Sequence, residues 1–307
     1  MRRLFGIICF LLLIAGSLNA AEKIEIDRIS VKDLQSIYDF YDYNGEKSYL
    51  MIPSYRYPPI FLRHFPIDFN SLSNETERNA LFIKILAPLA IRVNDEILDE
   101  RLNILALADS SENGKKLTPK QMAFIEEKAA KYDVFTHHKG HLRYSYMLDE
   151  LQRKIHVIPP SILITAAALE TNWGTSRIVK EGNSLYKILN WYSDEGLKPL
   201  GEKEDDTYRI KTYPDILSSM QEFALKLNSE LKYANFRGFR HQILGRRTPL
   251  LGSNLAPYLV WNSPLKNYAG LFDYTLAYYE LNIIDKSILD SKIISKDLPK
   301  NLKDKTM

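Results

Sequence analysis

The sequence predicts an α+β chain that is mostly helical and carries one small β-lobe. Three observations lead there. Apolar residues recur at helical spacing over several long stretches, most of them opened by a capping residue or a proline. That period vanishes between Asn190 and Tyr213, where Gly196, Pro199 and Gly201 punctuate the chain. Within this interval TYRIKTY, ending at Tyr213, alternates at period two, as a small hairpin or extended lobe does. At 307 residues, 45% hydrophobic and 26% charged, the chain has the balance of a globular protein with one large core or two modest ones.

The first residues place Arg2 and Arg3 before an apolar stretch from Leu4 to Ala15, then small and polar residues ending in Ala20-Ala21. This is the layout of a secretory signal peptide over residues 1–20, cleaved near Ala20 or Ala21. The apolar run is short for a membrane span, which needs roughly 18 or more residues. An exported protein of the periplasm or cell envelope is expected, with no stable membrane span after cleavage. The single cysteine, Cys9, lies inside this segment and not at its small-residue end, so a lipoprotein signal is not indicated and the mature chain has no disulfide or thiolate chemistry. Without Arg2 and Arg3 the balance is 39 basic against 38 acidic residues, which gives no support for nucleic-acid binding.

Residues 21 to about 73, with prolines at 53, 58, 59 and 66, read as irregular or edge-like. Asn74, with Glu77 three residues on, then has the layout of a helix N-cap before an apolar-periodic stretch to about Leu107. Asn74 also begins an N-x-T triplet, but the same residues already serve as a cap. Lys84 and Arg92 interrupt the run and Pro88 is expected to kink it, which makes it a buried core helix and not a membrane span. Thr118-Pro119-Lys120-Gln121 offers a capping box with proline at the first helical position, and the helix should reach about Tyr132. Further helices are expected from Leu142 to Lys154, from Pro159-Pro160-Ser161 up to Gly174, from Thr175 to Lys180, from Pro214 to about Leu231, from Gly252 to Val260 and from Tyr268 to Leu281. The lysine- and aspartate-rich tail from Asp285 reads as poorly ordered at its end. No glycine-rich phosphate loop is present and no cofactor is expected. His137, His138 and His141 resemble a metal cluster, but Gly140 interrupts them and no His-Glu-x-x-His pattern accompanies them, so a solvated loop and no metal are expected.

The chemistry centres on Glu170. It is the only acidic residue from Leu151 to Lys180, and it closes the apolar run Ile162-Leu163-Ile164-Thr165-Ala166-Ala167-Ala168-Leu169. At the last turn of such a helix, desolvation and the negative helix end both favour the protonated acid. A carboxyl group that keeps its proton near neutrality suits protonation of a glycosidic oxygen. The bland alternatives are pairing with Arg177 or capping of the next helix near Thr175.

The stretch PPSILITAAALETNWGTSRIVKEGNSLYKI, Pro159 to Ile188, resembles the glucosaminidase family of peptidoglycan hydrolases, glycoside hydrolase family 73. Glu170 falls on that family's catalytic acid and Trp173-Gly174-Thr175-Ser176 on its motif, while YRIKTYPDILSSMQEFALKLNS and NYAGLFDYTLAYYELNI are similar to its later helices. LFIKILAPLAIRVNDEILDERLNIL further resembles the N-terminal region of the Bax-type branch of bacterial envelope proteins. The resemblance implies a lysozyme-like domain over residues 141–285, with its cleft between a helical lobe and the β-lobe, after a helical Bax-like region over 21–140 and before a charged tail over 286–307. The implied activity is an endo-β-N-acetylglucosaminidase that cuts the β-1,4 bond after N-acetylglucosamine in peptidoglycan glycan strands.

Thr171, Ser184, Lys187 and Asn262 depart from the family pattern; serine, asparagine, glycine and tyrosine are usual there. A second carboxylate is expected from the β-lobe, where Asp194, Glu195, Glu202, Glu204, Asp205 and Asp206 are candidates and Glu195 best fits the family's position. Alternatively the acetamido group of the sugar supplies the nucleophile. Tyr268 matches a family tyrosine near the acid, and Tyr186 and Trp191 are candidate faces for sugar rings; Trp173 reads as a core residue that fixes the turn. Two other readings share these features: a glycan-binding or scaffold protein that kept the fold without activity, and a lytic transglycosylase.

Overall fold

The computed structural model describes residues 23–44, 48–51, 54–191, 193–201, 207–259, 267–293 and 298–306. The expected signal peptide with Cys9, the candidates Glu202, Glu204, Asp205 and Asp206, and Asn262 lie outside the described residues. Where it is described, the chain is mostly helical with short two-stranded ladders, the α+β class expected.

The N-terminal part has more regular structure than its composition suggested. Strand β1 (Ile24–Ile26) leads into helix α1 (Val31–Phe40), and strands β2 (Arg56–Tyr57) and β3 (Ile60–Leu62) follow, β3 lying parallel to β1. Helix α1 forms because the Ser30 side chain accepts the Asp33 N–H while Val31, Leu34, Ile37 and Tyr38 share one buried face. Helix α2 (Glu75–Glu112) starts at its Asn74 cap, runs on through the buried Pro88 and ends a turn beyond the expected Leu107. It has 38 residues, yet among the described residues no helix is long and apolar enough to cross a membrane. Helix α3 (Pro119–Lys131) shows the full capping box of Thr118 and Gln121. Helix α4 (Gly140–Lys154) follows.

Helix α5 (Pro160–Thr171) is the centre of the molecule. Its residues from Pro160 to Ala168 are all buried, and it is surrounded by α2, α7 (Ile216–Ser229), α9 (Gly252–Leu255), α10 (Tyr268–Tyr278) and the turn Leu281–Lys286. Helix α6 (Arg177–Gly182) follows closely, and strands β4 (Leu189–Trp191) and β5 (Tyr208–Ile210) then form the expected hairpin, antiparallel with Trp191 opposite Tyr208. Helix α8 (Ala234–Gly245) was not expected from the sequence. Its buried residues are Phe236, Arg240 and Ile243, so a charged residue stands where the apolar pattern should continue.

The tail is also better ordered than its charge implied. Strand β6 (Ile288–Leu289) pairs in parallel with β2, Leu298 is buried, and helix α11 (Lys300–Lys303) lies against α1. One apolar cluster runs from Ile24 to Leu298.

The N-terminus of α5 is held from the far end of the chain. Asp285 accepts the Ser161 N–H on Oδ1, and the Ser161 hydroxyl and the Gly252 N–H on Oδ2, each at 2.8 Å. Burial pushes the Asp285 carboxyl up to about 7 from the ordinary 3.8, against the pull of those hydrogen bonds. The folded state then keeps a proton that the unfolded chain releases, so this group lowers stability as pH rises from about 4 to about 7. Asp285→Ala should cost about 2–4 kcal/mol, because donors at two helix starts lose their acceptor. In urea titrations it should also reduce the fall in stability between about pH 4 and pH 7.

Candidate active site

Glu170 lies in the last turn of α5, and its side chain is 22% exposed. Its Oε1 accepts a hydrogen bond from the Tyr268 hydroxyl at 2.9 Å, and the Lys187 ammonium stands 3.7 Å from Oε2. Tyr268 is the first residue of α10 and is buried; burial and then the Glu170 carboxylate push its phenol well above the ordinary range. Burial pushes Tyr233 up to about 12, with smaller contributions from Glu230 and Glu170. Tyr268 and Lys187 therefore flank the two oxygens of the acid. Arg177 pairs instead with Glu181, and the Thr175 hydroxyl bonds to Asn172, so neither bland partner expected for Glu170 engages it.

The chain reverses directly after the acid through Asn172, Trp173 and Gly174, all left-handed with φ of 49°, 57° and 78°. The helix thus ends at Thr171 with Asn172 as its cap, two residues before the Gly174 stop that the sequence suggested. Trp173 is held in this unusual conformation by edge contact with the Phe82 ring and a tilted contact with Tyr279, the core role expected of it. Thr171 takes over the family's serine position without loss of the hydroxyl: its Oγ1 donates to the Ala167 carbonyl and accepts the Gly174 N–H. A Cβ on Gly174 would lie 3.0 Å from Phe82 and 3.2 Å from Phe65 and Phe69.

The segment after α6 delivers Lys187. Asn183 ends that helix with φ of 50°, donates to the Tyr213 carbonyl and contacts His64. The Leu185 N–H donates to Ser219. Lys187 itself has φ of 45°, a region that favours glycine, which accounts for the family's usual residue there. Ser184 is fully buried, and its hydroxyl has no hydrogen-bond partner among the described residues.

The remaining expected site residues divide. Tyr186 is a core residue and not a sugar face: it is 7% exposed, stacks on Phe223 with centroids 4.2 Å apart, and donates its hydroxyl to the Leu163 carbonyl. Trp191 is 57% exposed beside Tyr208 and keeps its ring available for stacking. Glu195 is exposed in the hairpin loop; its N–H donates to Ser193 and its carbonyl accepts from Asn190, while its carboxylate engages no described residue, Glu170 included. Asp194 is fully exposed, with a long contact to Arg209. The sequence reading missed Tyr233, and it took Lys187 only as a departure, not as a charge beside the acid.

These features coincide with a known family. A glucosaminidase family model, described as mannosyl-glycoprotein endo-beta-N-acetylglucosaminidase, matches residues 146–250 and so contains Glu170, Lys187 and the hairpin. Over these residues the chain is similar to the glucosaminidase family. Over a longer stretch it is 25% identical, across 180 residues, to Protein bax of Escherichia coli (strain K12), a match that spans 57% of this chain and 60% of that protein. A crystal structure of the catalytic domain of the autolysin Auto from Listeria monocytogenes matches 57% of this chain and 94% of its own at 20% identity, with a TM-score of 0.31.

Two outcomes are expected at this site. Tyr268→Phe should lower kcat about 10- to 100-fold on a glycan substrate, since a hydrogen bond to a charged group contributes about 1.5–3 kcal/mol. Gly174→Ala should lower thermal stability by about 2–4 kcal/mol, because a Cβ there meets three phenylalanine rings in a left-handed turn.

Proposed function

We propose that this chain is an exported peptidoglycan hydrolase that cuts the β-1,4 bond after N-acetylglucosamine, with Glu170 as the general acid. The observation that carries this reading is the carboxyl at the end of a buried helix, oriented by the Tyr268 hydroxyl 2.9 Å from Oε1. With Oε1 engaged, Oε2 is the oxygen left to meet the glycosidic oxygen and pass it a proton. Lys187, half exposed at the same oxygen, moves aside or contacts the sugar as the substrate enters. The exposed Trp191 on the hairpin offers an apolar face for a sugar ring.

The family model's description names a bond beside N-acetylglucosamine, and the signal-peptide layout supports export to a compartment where peptidoglycan is the available polymer of that kind. Glu195 is our candidate for the second group, because its carboxylate has no partner among the described residues and stands on the lobe facing the cleft expected of this family. If it takes no part, the acetamido oxygen of the substrate attacks the anomeric carbon as the proton leaves Glu170. Glu195→Gln separates the two: a loss of activity of about 100-fold or more assigns the carboxylate, and near-normal activity assigns the substrate.

Lys187, where the family has glycine, favours one other reading, a glycan-binding protein without activity, because it sets a cation against the acid. A zymogram on purified peptidoglycan separates them. A cleared band for the wild-type chain and none for Glu170→Gln, with the melting temperature unchanged, is the expected outcome. Lysis by Glu170→Gln, or no lysis by the wild type, would overturn the assignment.

A further inference from the structure

A cavity of roughly 460 Å³ lies at the C-terminal end of α4 and shares no lining residue with the Glu170 site. Four arginines, Arg101, Arg153, Arg237 and Arg240, and two histidines, His156 and His241, line it against one carboxylate, Asp149. A merely solvated basic face would hold these charges in water. Here Arg240 is only 1% exposed, and Arg101 and Arg237 are half-buried.

These cations are held by carbonyl oxygens and not by acids. Arg240 donates to the carbonyls of Arg153, Lys154, His156 and Val157 and to the side-chain oxygen of Asn228. Arg101 donates through Nη1 to the Gln152 and Ile155 carbonyls, and Arg237 to those of Leu227 and Glu230. Most of these carbonyls belong to the last turns of α4 and α7 or the residues just beyond, where helix ends leave acceptors unpaired and carry partial negative charge. They satisfy the donors but offset only part of the charge. The remaining surplus is visible at His156: burial, then Arg240 and Arg101, push it down to about 3.

We propose that this cavity is a binding site for an oxyanion ligand, a small molecule or chain end that carries two or more phosphate or carboxylate groups. The uncompensated charge of the buried arginines attracts such groups, the exposed Arg153 guanidinium at the rim can bond them directly, and the cavity has room for more than a single phosphate. Nothing in this site depends on the glycosidase reading.

The test is calorimetric titration of the full mature chain with inorganic pyrophosphate and, separately, with citrate, at fixed ionic strength with chloride as the control. Arg240 is unsuitable for substitution because its five hydrogen bonds hold the corner together. Arg153, whose side chain is 68% exposed and pairs with Glu150, and the exposed His241 are rim residues that can be changed without that loss. We expect one saturable site, with affinity at least about tenfold weaker in the double variant Arg153→Gln, His241→Gln at an unchanged melting temperature. Tighter binding of pyrophosphate identifies a phosphorylated ligand, and tighter binding of citrate a carboxylated one. Absence of saturable binding for both anions, or equal binding by the folded double variant, would overturn the proposal.

Discussion

Helix α5 is enclosed by helices and turns from both ends of the chain, and the rest of the structure is arranged to make that burial tolerable. A helix with no solvent-facing stripe gains a large apolar contact area, yet its terminal N–H and C=O groups cannot turn to water. At its start Asp285 serves Ser161 and, by the same carboxylate, Gly252, so the C-terminal region is bound to the central helix. At its end the Thr171 hydroxyl and three successive left-handed residues close the backbone bonds within a few residues. Glu170 sits at the boundary between the two regimes. It is carried by a helix buried from Pro160 to Ala168, and it is the one ionisable side chain of that helix.

Much of this could be read from the residues. The caps at Asn74 and Thr118 are local hydrogen-bonding devices that work whatever surrounds them, and both hold as expected. The period-two run at the hairpin is likewise a local signal, and it forms the β4–β5 ladder. Helix α8 was hidden because Arg240 occupies a core position, and a buried arginine is intelligible only once the carbonyls of α4 and α7 surround it. Helix α1 was hidden by its charged and aromatic neighbours, although Ser30 and the spacing of Val31, Leu34 and Tyr38 carried the signal. At the site, Tyr268 was placed near the acid by resemblance and lies there, whereas Tyr186 was misjudged because sequence cannot tell which face of a tyrosine is covered.

Charge in this protein is distributed by function of place. Around Glu170 the partners are the Tyr268 phenol and the half-exposed Lys187, which orient a carboxyl without enclosing it. At the ends of α4 and α7 the partners are guanidinium groups against carbonyls, an arrangement that joins two helices through their unpaired acceptors and leaves positive charge facing a cavity. The two sites share no residue.

The central claim is that Glu170 protonates a glycosidic oxygen on the N-acetylglucosamine side of the glycan repeat. Mass spectra of the fragments that the mature chain releases from purified peptidoglycan test it most directly. The account predicts fragments with reducing N-acetylglucosamine ends; fragments with anhydromuramic ends, or no fragments at all, would contradict it.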